Sequence, residues 1–173
     1  MIRPRGPAAE IRVEPNEGSA AAPLVGERSQ HSPIGTVLAF DFGERRIGVA
    51  VGELSLGMAH PLETIRAGSD AERIAAIGRL LSEWKPVLLV VGLPLRLDGT
   101  EHEQSARCRN FAKRLQARFG IETRLVDERL TSHSASLALA EAGIRGRRQK
   151  DMLDQVAAQH ILDAFFASRH DAA

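Results

Sequence analysis

Thr36-Val-Leu-Ala-Phe40 and Ile47-Gly-Val-Ala-Val51 are two short β-type runs, separated by the polar stretch Asp41-Phe42-Gly43-Glu44-Arg45-Arg46. Runs of this length, rich in β-branched and aromatic residues and broken by a glycine-bearing turn, predict an antiparallel hairpin. A third strand is expected from Ala59 to Arg66. Beyond it the period changes: Ile74, Ile77, Leu80, Leu81 and Trp84 recur at helical spacing after Ser69-Asp70, and Pro86 stops the helix before an apolar strand, Val87 to Val91.

The loop Gly92 to Gly99 leads to Thr100-Glu-His-Glu103, a capping-box pattern, and to a helix with Cys108, Phe111, Ala112, Leu115 and Phe119 on its inner face, closed by Gly120. A strand from Ile121 to Val126 and a short helix from Thr131 to Glu141, closed near Gly143, follow. Leu153, Val156, Ala157, His160, Ile161, Ala164 and Phe165 mark the stripe of a final helix. The expected order is β-β-β-α-β-α-β-α-α. Three strands in hairpin order followed by strands alternating with helices imply an α/β fold, a mixed sheet flanked by helices.

In the other direction the pattern stops. Residues 1–35 hold five of the eight prolines and none of the aromatics, so they offer little to bury and read as a disordered proline-rich tail. One domain over 36–169 and a short tail over 170–173 are expected. The 173 residues suit a single domain, and the composition is that of an ordinary globular protein. The lone Cys108 forms no intrachain disulfide, and no apolar run approaches the roughly 18 residues of a membrane span. No secretory signal pattern opens the chain, so the expectation is cytoplasmic, with no membrane partner.

The acids sit where chemistry is done in such sheets. Asp41 ends the first strand and Asp127-Glu128 end the strand that starts at Ile121, and sites in open α/β sheets form beyond the carboxyl ends of the strands. Adjacent residues of an extended chain face opposite ways, so only one of Asp127 and Glu128 should readily meet Asp41. Asp154 is expected in the first turn of the last helix, where the dipole would keep it ionised. Carboxylates converging without a lysine between them repel unless a divalent cation neutralises them, and Mg2+ or Mn2+ is the chemical fit. Each acid also has a plain structural reading: Asp41 as a turn residue, Asp154 as a solvated acid of a first turn. Gly43 and Gly48 fit a tight turn with close backbone approach, Thr131 or Ser132 a helix cap, His160 a core position, and His133 a place near Glu128.

Taken together, Asp41-Phe-Gly-Glu-Arg-Arg-Ile-Gly-Val-Ala50, Val90-Val-Gly-Leu-Pro-Leu95 with Asp98-Gly-Thr-Glu101, Val126-Asp-Glu-Arg-Leu-Thr131, and Lys150 with Asp154-Gln-Val-Ala-Ala158 closely resemble the YqgF/RuvX family. The resemblance implies a ribonuclease-H-like fold akin to Holliday-junction resolvases, a bacterial cytoplasmic protein, and a nuclease that processes the 5′ end of the 16S rRNA precursor. It makes Asp41, Glu128 and Asp154 the catalytic and metal-holding acids, with Asp127 and Asp98 secondary. The chain departs from the family's Lys-Gly-Lys approach to the last aspartate, having Arg147-Arg-Gln-Lys-Asp-Met-Leu153 instead.

A formal charge of +1 is lower than a nucleic-acid binder usually carries, yet it hides a partition. Residues 96–150 carry twelve cations against seven anions. Arg107 and Arg114 on one helix, with Arg145, Arg147, Arg148 and Lys150 in an expected loop before Asp154, form the candidate phosphate track. The expected partner is structured nucleic acid, foremost precursor rRNA; homodimerisation is left open. Three rival readings differ in what they require of the chain. A two-lobed nucleotide-binding ATPase needs more chain than this. A non-catalytic RNA-binding factor would have lost an acid, and all three are present. A Holliday-junction-type DNA resolvase is not separable by residues alone, because the contacts to the 2′-OH that distinguish RNA are not legible in sequence.

Overall fold

The computed structural model describes residues 34–130 and 146–170. The described residues form β1 (Thr36–Phe42), β2 (Arg46–Glu53), β3 (Met58–Arg66), α1 (Asp70–Trp84), β4 (Leu88–Leu93), α2 (Glu103–Phe119), β5 (Thr123–Asp127), a 3-10 turn (Glu128–Leu130) and α3 (Arg147–His170). The expected helix from Thr131 to Glu141, its closure near Gly143, the cap at Thr131 or Ser132, His133 and Arg145 lie outside the described residues, as do the tail up to residue 33 and residues 171–173. Among the described residues no helix is long and apolar enough to cross a membrane.

The five strands make one sheet in the order β3-β2-β1-β4-β5. β1 pairs antiparallel with β2, from Thr36↔Glu53 to Phe42↔Ile47, and β2 antiparallel with β3. β4 is parallel to both β1 and β5. The central strand is therefore covered on both faces, which is why β1 and β4 read as continuous apolar runs instead of alternating ones. This is the α/β architecture expected from the sequence, a mixed sheet flanked by helices.

Period-two alternation divides the core into two layers. Leu38 and Phe40 of β1, Ile47 and Val49 of β2, and Leu89 and Val91 of β4 face α1 and α2, meeting Ile77, Leu80, Cys108, Phe111 and Leu115. Val37 and Ala39, Ala50, and Val90 face α3, meeting Ala158, Ile161, Leu162, Phe165 and Phe166. The layers differ in bulk. Past Arg46, β2 offers on the α3 side only Gly48, Ala50 and Gly52, a smooth strip along which the helix lies close.

Local signals explain most element ends. Ser69 caps α1 through a capping box, its hydroxyl accepting from the Glu72 N–H at 3.2 Å while Glu72 accepts from the Ser69 N–H at 3.0 Å. α2 ends where Gly120 turns left-handed, φ 68°, and donates to the Gln116 carbonyl. Four expectations are corrected. Thr100 and Glu103 do not form a capping box: Asp98 Oδ1 accepts from the backbone N–H and hydroxyl of Thr100, and α2 begins one residue after His102, whose N–H donates to Ser105 Oγ at 3.0 Å. Gly48 is not in the turn but inside β2, where the close approach is that of a helix. The buried stripe of α3 is Ala158, Ile161, Leu162, Phe165 and Phe166, one residue round from the expected one, so His160 is only half-buried. Finally, α3 begins at Arg147, so the expected basic loop before Asp154 is helix, and Asp154 lies two turns in, beyond the reach of the helix-end dipole.

Candidate active site

Parity along the strands selects the acids. Asp41 follows Val37 and Ala39 on the α3 side of β1, and Glu128 follows Val126, which is buried in that same layer. Asp154 stands four residues before Ala158 and seven before Ile161, hence on the stripe that α3 turns toward the sheet. Three elements thus bring three carboxylates to one face, at the carboxyl end of β1, just past β5, and on the crossing helix.

Two glycines make the approach possible. Gly48 is the register partner of Asp41 on β2. A Cβ there would lie 3.0 Å from Asp154 Cα and overlap its carbonyl. Gly92 follows Val91, the register partner of Phe40 on β4, and a Cβ there would run into the Glu128 carboxylate and the Ile161 methyl at 2.5 Å. Gly48 and Gly92 therefore flank Asp41, one leaving room for the backbone of Asp154 and the other for the side chain of Glu128. The close approach at Gly48 is legible in sequence as a bare possibility; Gly92, read as the start of a loop, carries no such signal.

Burial raises all three acids, and neighbouring carboxylates add to the shift. The Asp41 carboxyl is raised to about 6, first by desolvation and then by the charge of Asp154. Glu128 is raised to about 7 by desolvation, then by Asp41 and Asp127. Asp154 is raised by desolvation, opposed chiefly by Arg46. The same field reaches under the sheet, where burial, then Glu128 and Asp41, push the Cys108 thiol up to about 12. Arg46 Nε stands 2.9 Å from Asp154 Oδ2 as an ion pair, yet its N–H is not aimed at that oxygen, which is buried without a hydrogen bond among the described residues. Among the described residues no three His, Cys, Asp or Glu side chains already stand in reach of one metal ion. The donor chemistry nevertheless suits a hard cation: carboxylate oxygens only, mutually repelling, one of them buried and unbonded.

The secondary acids lie elsewhere. Arg129 holds Asp127 in a fork, with Nε and Nη2 at 2.9 and 2.6 Å from Oδ2, and keeps its carboxyl below the usual range. Asp98 is exposed in its own turn and likewise lowered by Thr100. Neither faces Asp41, so the structure does not bring them to the site.

A cleft of about 700 Å³ opens at Asp41 and Asp154, walled by Arg46, Arg66, Arg107 and Lys150. Of the expected basic residues, Arg107 and Lys150 line it, although Arg107 is also paired with Glu44 and Glu103. Arg147 lines the adjoining hollow and Arg148 is exposed on the first turn of α3. Arg114 does not join them: it pairs with Asp70 in a separate groove between α1 and α2. Arg46 and Arg66 belong to this wall and are missed in sequence, because they fall in a stretch whose charges nearly cancel.

Residues 35–168 match the family model described as "RuvX: Holliday junction resolvase". A relative from Nitrosospira multiformis, named "Putative pre-16S rRNA nuclease", is 61% identical over 144 residues, 83% of this chain and 95% of its own length. One of the same name from Methylobacillus flagellatus is 58% identical over 132 residues, covering 76% and 90%. Among solved structures, Thermus thermophilus RuvC in complex with a Holliday junction aligns over 80% of this chain and 98% of its own, at 17% identity and a TM-score of 0.49.

Proposed function

The chain belongs to the RuvX family and is a phosphodiester-cleaving nuclease, and from that premise we propose that it trims the 5′ end of precursor 16S rRNA using Mg2+ or Mn2+. The observation that carries the reading is the convergence of Asp41, Glu128 and Asp154 on the α3 side of the sheet, each with its carboxyl pushed upward. A site designed by packing alone has no reason to gather three repelling acids beside two glycines; one that binds cations does.

Asp41, Glu128 and Asp154 would hold the metal, and the chemistry that divalent ions supply in such a site is activation of a water and neutralisation of charge at the phosphodiester. Asp41 and Glu128 are the most desolvated, so their charge is costly until a cation compensates it. Arg46, Arg107 and Lys150, from β2, α2 and α3, draw the polyanion into the cleft and orient its phosphates. Absence of tyrosine and the inward packing of Trp84 favour recognition through backbone and shape over base stacking. The cytoplasm is the compartment in which such a substrate is met.

A second reading, cleavage of four-way DNA junctions, is favoured by the description of the family model. Cleavage-site mapping on a precursor 16S rRNA fragment and a matched DNA junction separates the two. We expect cuts at the rRNA 5′ flank that require Mg2+ or Mn2+ and are lost in Asp41→Asn. Full activity of Asp41→Asn, or of the wild type in excess chelator, would overturn the mechanism; cutting of the junction alone would overturn the substrate.

A further inference from the structure

Arg46 and Arg66 are register partners on β2 and β3, so their side chains leave the sheet on the same face. That face is the α3 side, because Arg46 is in phase with Gly48 and Ala50. Each arginine meets an aspartate of α3: Arg46 pairs with Asp154 at 2.9 Å, and Arg66 with Asp151. The start of α3 is pinned beside them, since Thr64 Oγ1 donates to the Asp151 carbonyl at 2.8 Å. Arg147 and Lys150, from the first turn of α3, close a hollow of about 380 Å³ over both arginines. Lys150, Arg46 and Arg66 also line the Asp41 cleft, so hollow and cleft are continuous.

The charges in this hollow do not balance. Four cations from three elements face two aspartates, and the first turn of α3 contributes no acid of its own. Clustered cations repel, and placing two of them on a helix start worsens the electrostatics. An arrangement that costs stability in the free protein is accounted for if an anion completes it. Two arginine forks side by side, each about one-third exposed and already oriented by a carboxylate, suit the tetrahedral oxygens of a phosphate.

We propose that Arg46, Arg66, Arg147 and Lys150 form a subsite for a backbone phosphate adjacent to the one that is cut, and that Arg46 is shared between this phosphate and Asp154. Without a divalent cation, Arg46 compensates Asp154. With one bound, Asp154 no longer needs the guanidinium, which turns to the phosphate. Cation and nucleic acid then bind cooperatively through a single side chain. The proposal rests on the nuclease reading, but its test reads binding and not cleavage.

The full wild-type chain is titrated with a fluorescent RNA hairpin bearing a single-stranded 5′ extension, and with a four-way DNA junction, over a range of KCl, in Ca2+ and in EDTA, with the probe checked on a gel to be uncut. Arg66→Gln/Lys150→Gln should lower the slope of log K against log salt by about two, one for each lost phosphate contact, on whichever probe binds. Arg114→Gln, in the separate groove, should leave it unchanged. Arg46→Gln should weaken binding by less than about twofold in EDTA and by about tenfold in Ca2+, with Arg46→Lys between, as expected for loss of a charge-assisted contact. Circular dichroism and the melting temperature of each variant check the fold, and Arg46→Lys keeps the test decisive if Arg46→Gln fails to fold. An unchanged slope in the double variant refutes the subsite. An equal loss from Arg46→Gln with and without Ca2+ refutes the sharing. Should Asp41→Asn cut its substrate, the catalytic assignment fails while the binding result stands.

Discussion

Replacing Gly48 by alanine adds one methyl group at the point where α3 lies closest to the sheet. The new Cβ would sit 3.0 Å from Asp154 Cα, where ordinary van der Waals contact begins at 3.4 Å, and it would overlap the Asp154 carbonyl outright. Both partners are backbone, so no side chain can rotate away; the helix must retreat or the strand must sink. Sinking is blocked, because the other side of β2 is filled by Ile47 and Val49 against the α1 and α2 layer. Retreat lifts Asp154 from Asp41, its neighbour across the Gly48 register. Overpacking of this kind costs about 1 to 3 kcal/mol, and a displacement of about 1 Å among groups that must act together can cost on the order of 100-fold in rate. The companion is Gly52→Ala, where a Cβ would meet Phe166 at 2.8 Å and Leu162 at 3.0 Å, as well as the Met58 carbonyl at 2.5 Å. It strains the same helix about 13 Å further along the strand. Urea denaturation and single-turnover cleavage should therefore diverge: both variants lose stability, but only Gly48→Ala loses cleavage out of proportion. Wild-type midpoint and rate in Gly48→Ala would refute the argument that this glycine sets the position of Asp154.

Two further outcomes follow from the electrostatics. Asp127→Asn should keep cleavage within a few-fold, because Arg129 already engages Asp127, whereas Glu128→Gln should lose about 100-fold or more; equal losses in single-turnover assays would return Asp127 to the site. Folded-state values near 6 for Asp41 and 7 for Glu128 exceed the ordinary 3.8 and 4.5, so between about pH 4 and 7 the native state binds more protons than the unfolded one. Stability without divalent cation is then greatest below that window and falls as pH rises through it. Asp41→Asn should accordingly melt at a higher temperature than wild type at pH 8 in EDTA and lose the advantage near pH 4. A wild-type melting temperature that rises from pH 5 to 8, with no gain for Asp41→Asn, would show the acids to be better compensated than their surroundings imply.

Short-range chemistry accounts for the parts that were legible. The hairpin, the capped α1, the buried inner face of α2 and the order of strands and helices follow from period, caps and breakers, which act within a few residues. The misreadings have two causes, one local and one across the helix–sheet interface. Thr100 lost its cap role because Asp98, two residues away, offers a better-placed acceptor. The α3 stripe is rotated because both Ala157 and Ala158 are apolar, and it is Ala158 that the packing of α3 on the sheet buries, in one layer with Ala50. Such a choice is made by what lies across the interface.

The candidate site divides in the same way. Sequence alone determined that acids end β1 and β5, that adjacent Asp127 and Glu128 must part company, and that Asp154 lies early in a helix with an apolar stripe, since alternation and helical period are properties of the local chain. Which layer received each acid was decided by the fold: α3 lies on the side of Val37, Ala39 and Val126, and this puts Asp41, Glu128 and Asp154 together and leaves Asp127 to Arg129. The basic wall was redrawn for the same reason. Arg46 and Arg66 are twenty residues apart in the chain and come side by side through the pairing of β2 with β3, whereas Arg114, near Arg107 along α2, is drawn off to Asp70. Charge counted along a sequence weighs neighbours in the chain, but electrostatic energy depends on neighbours in space.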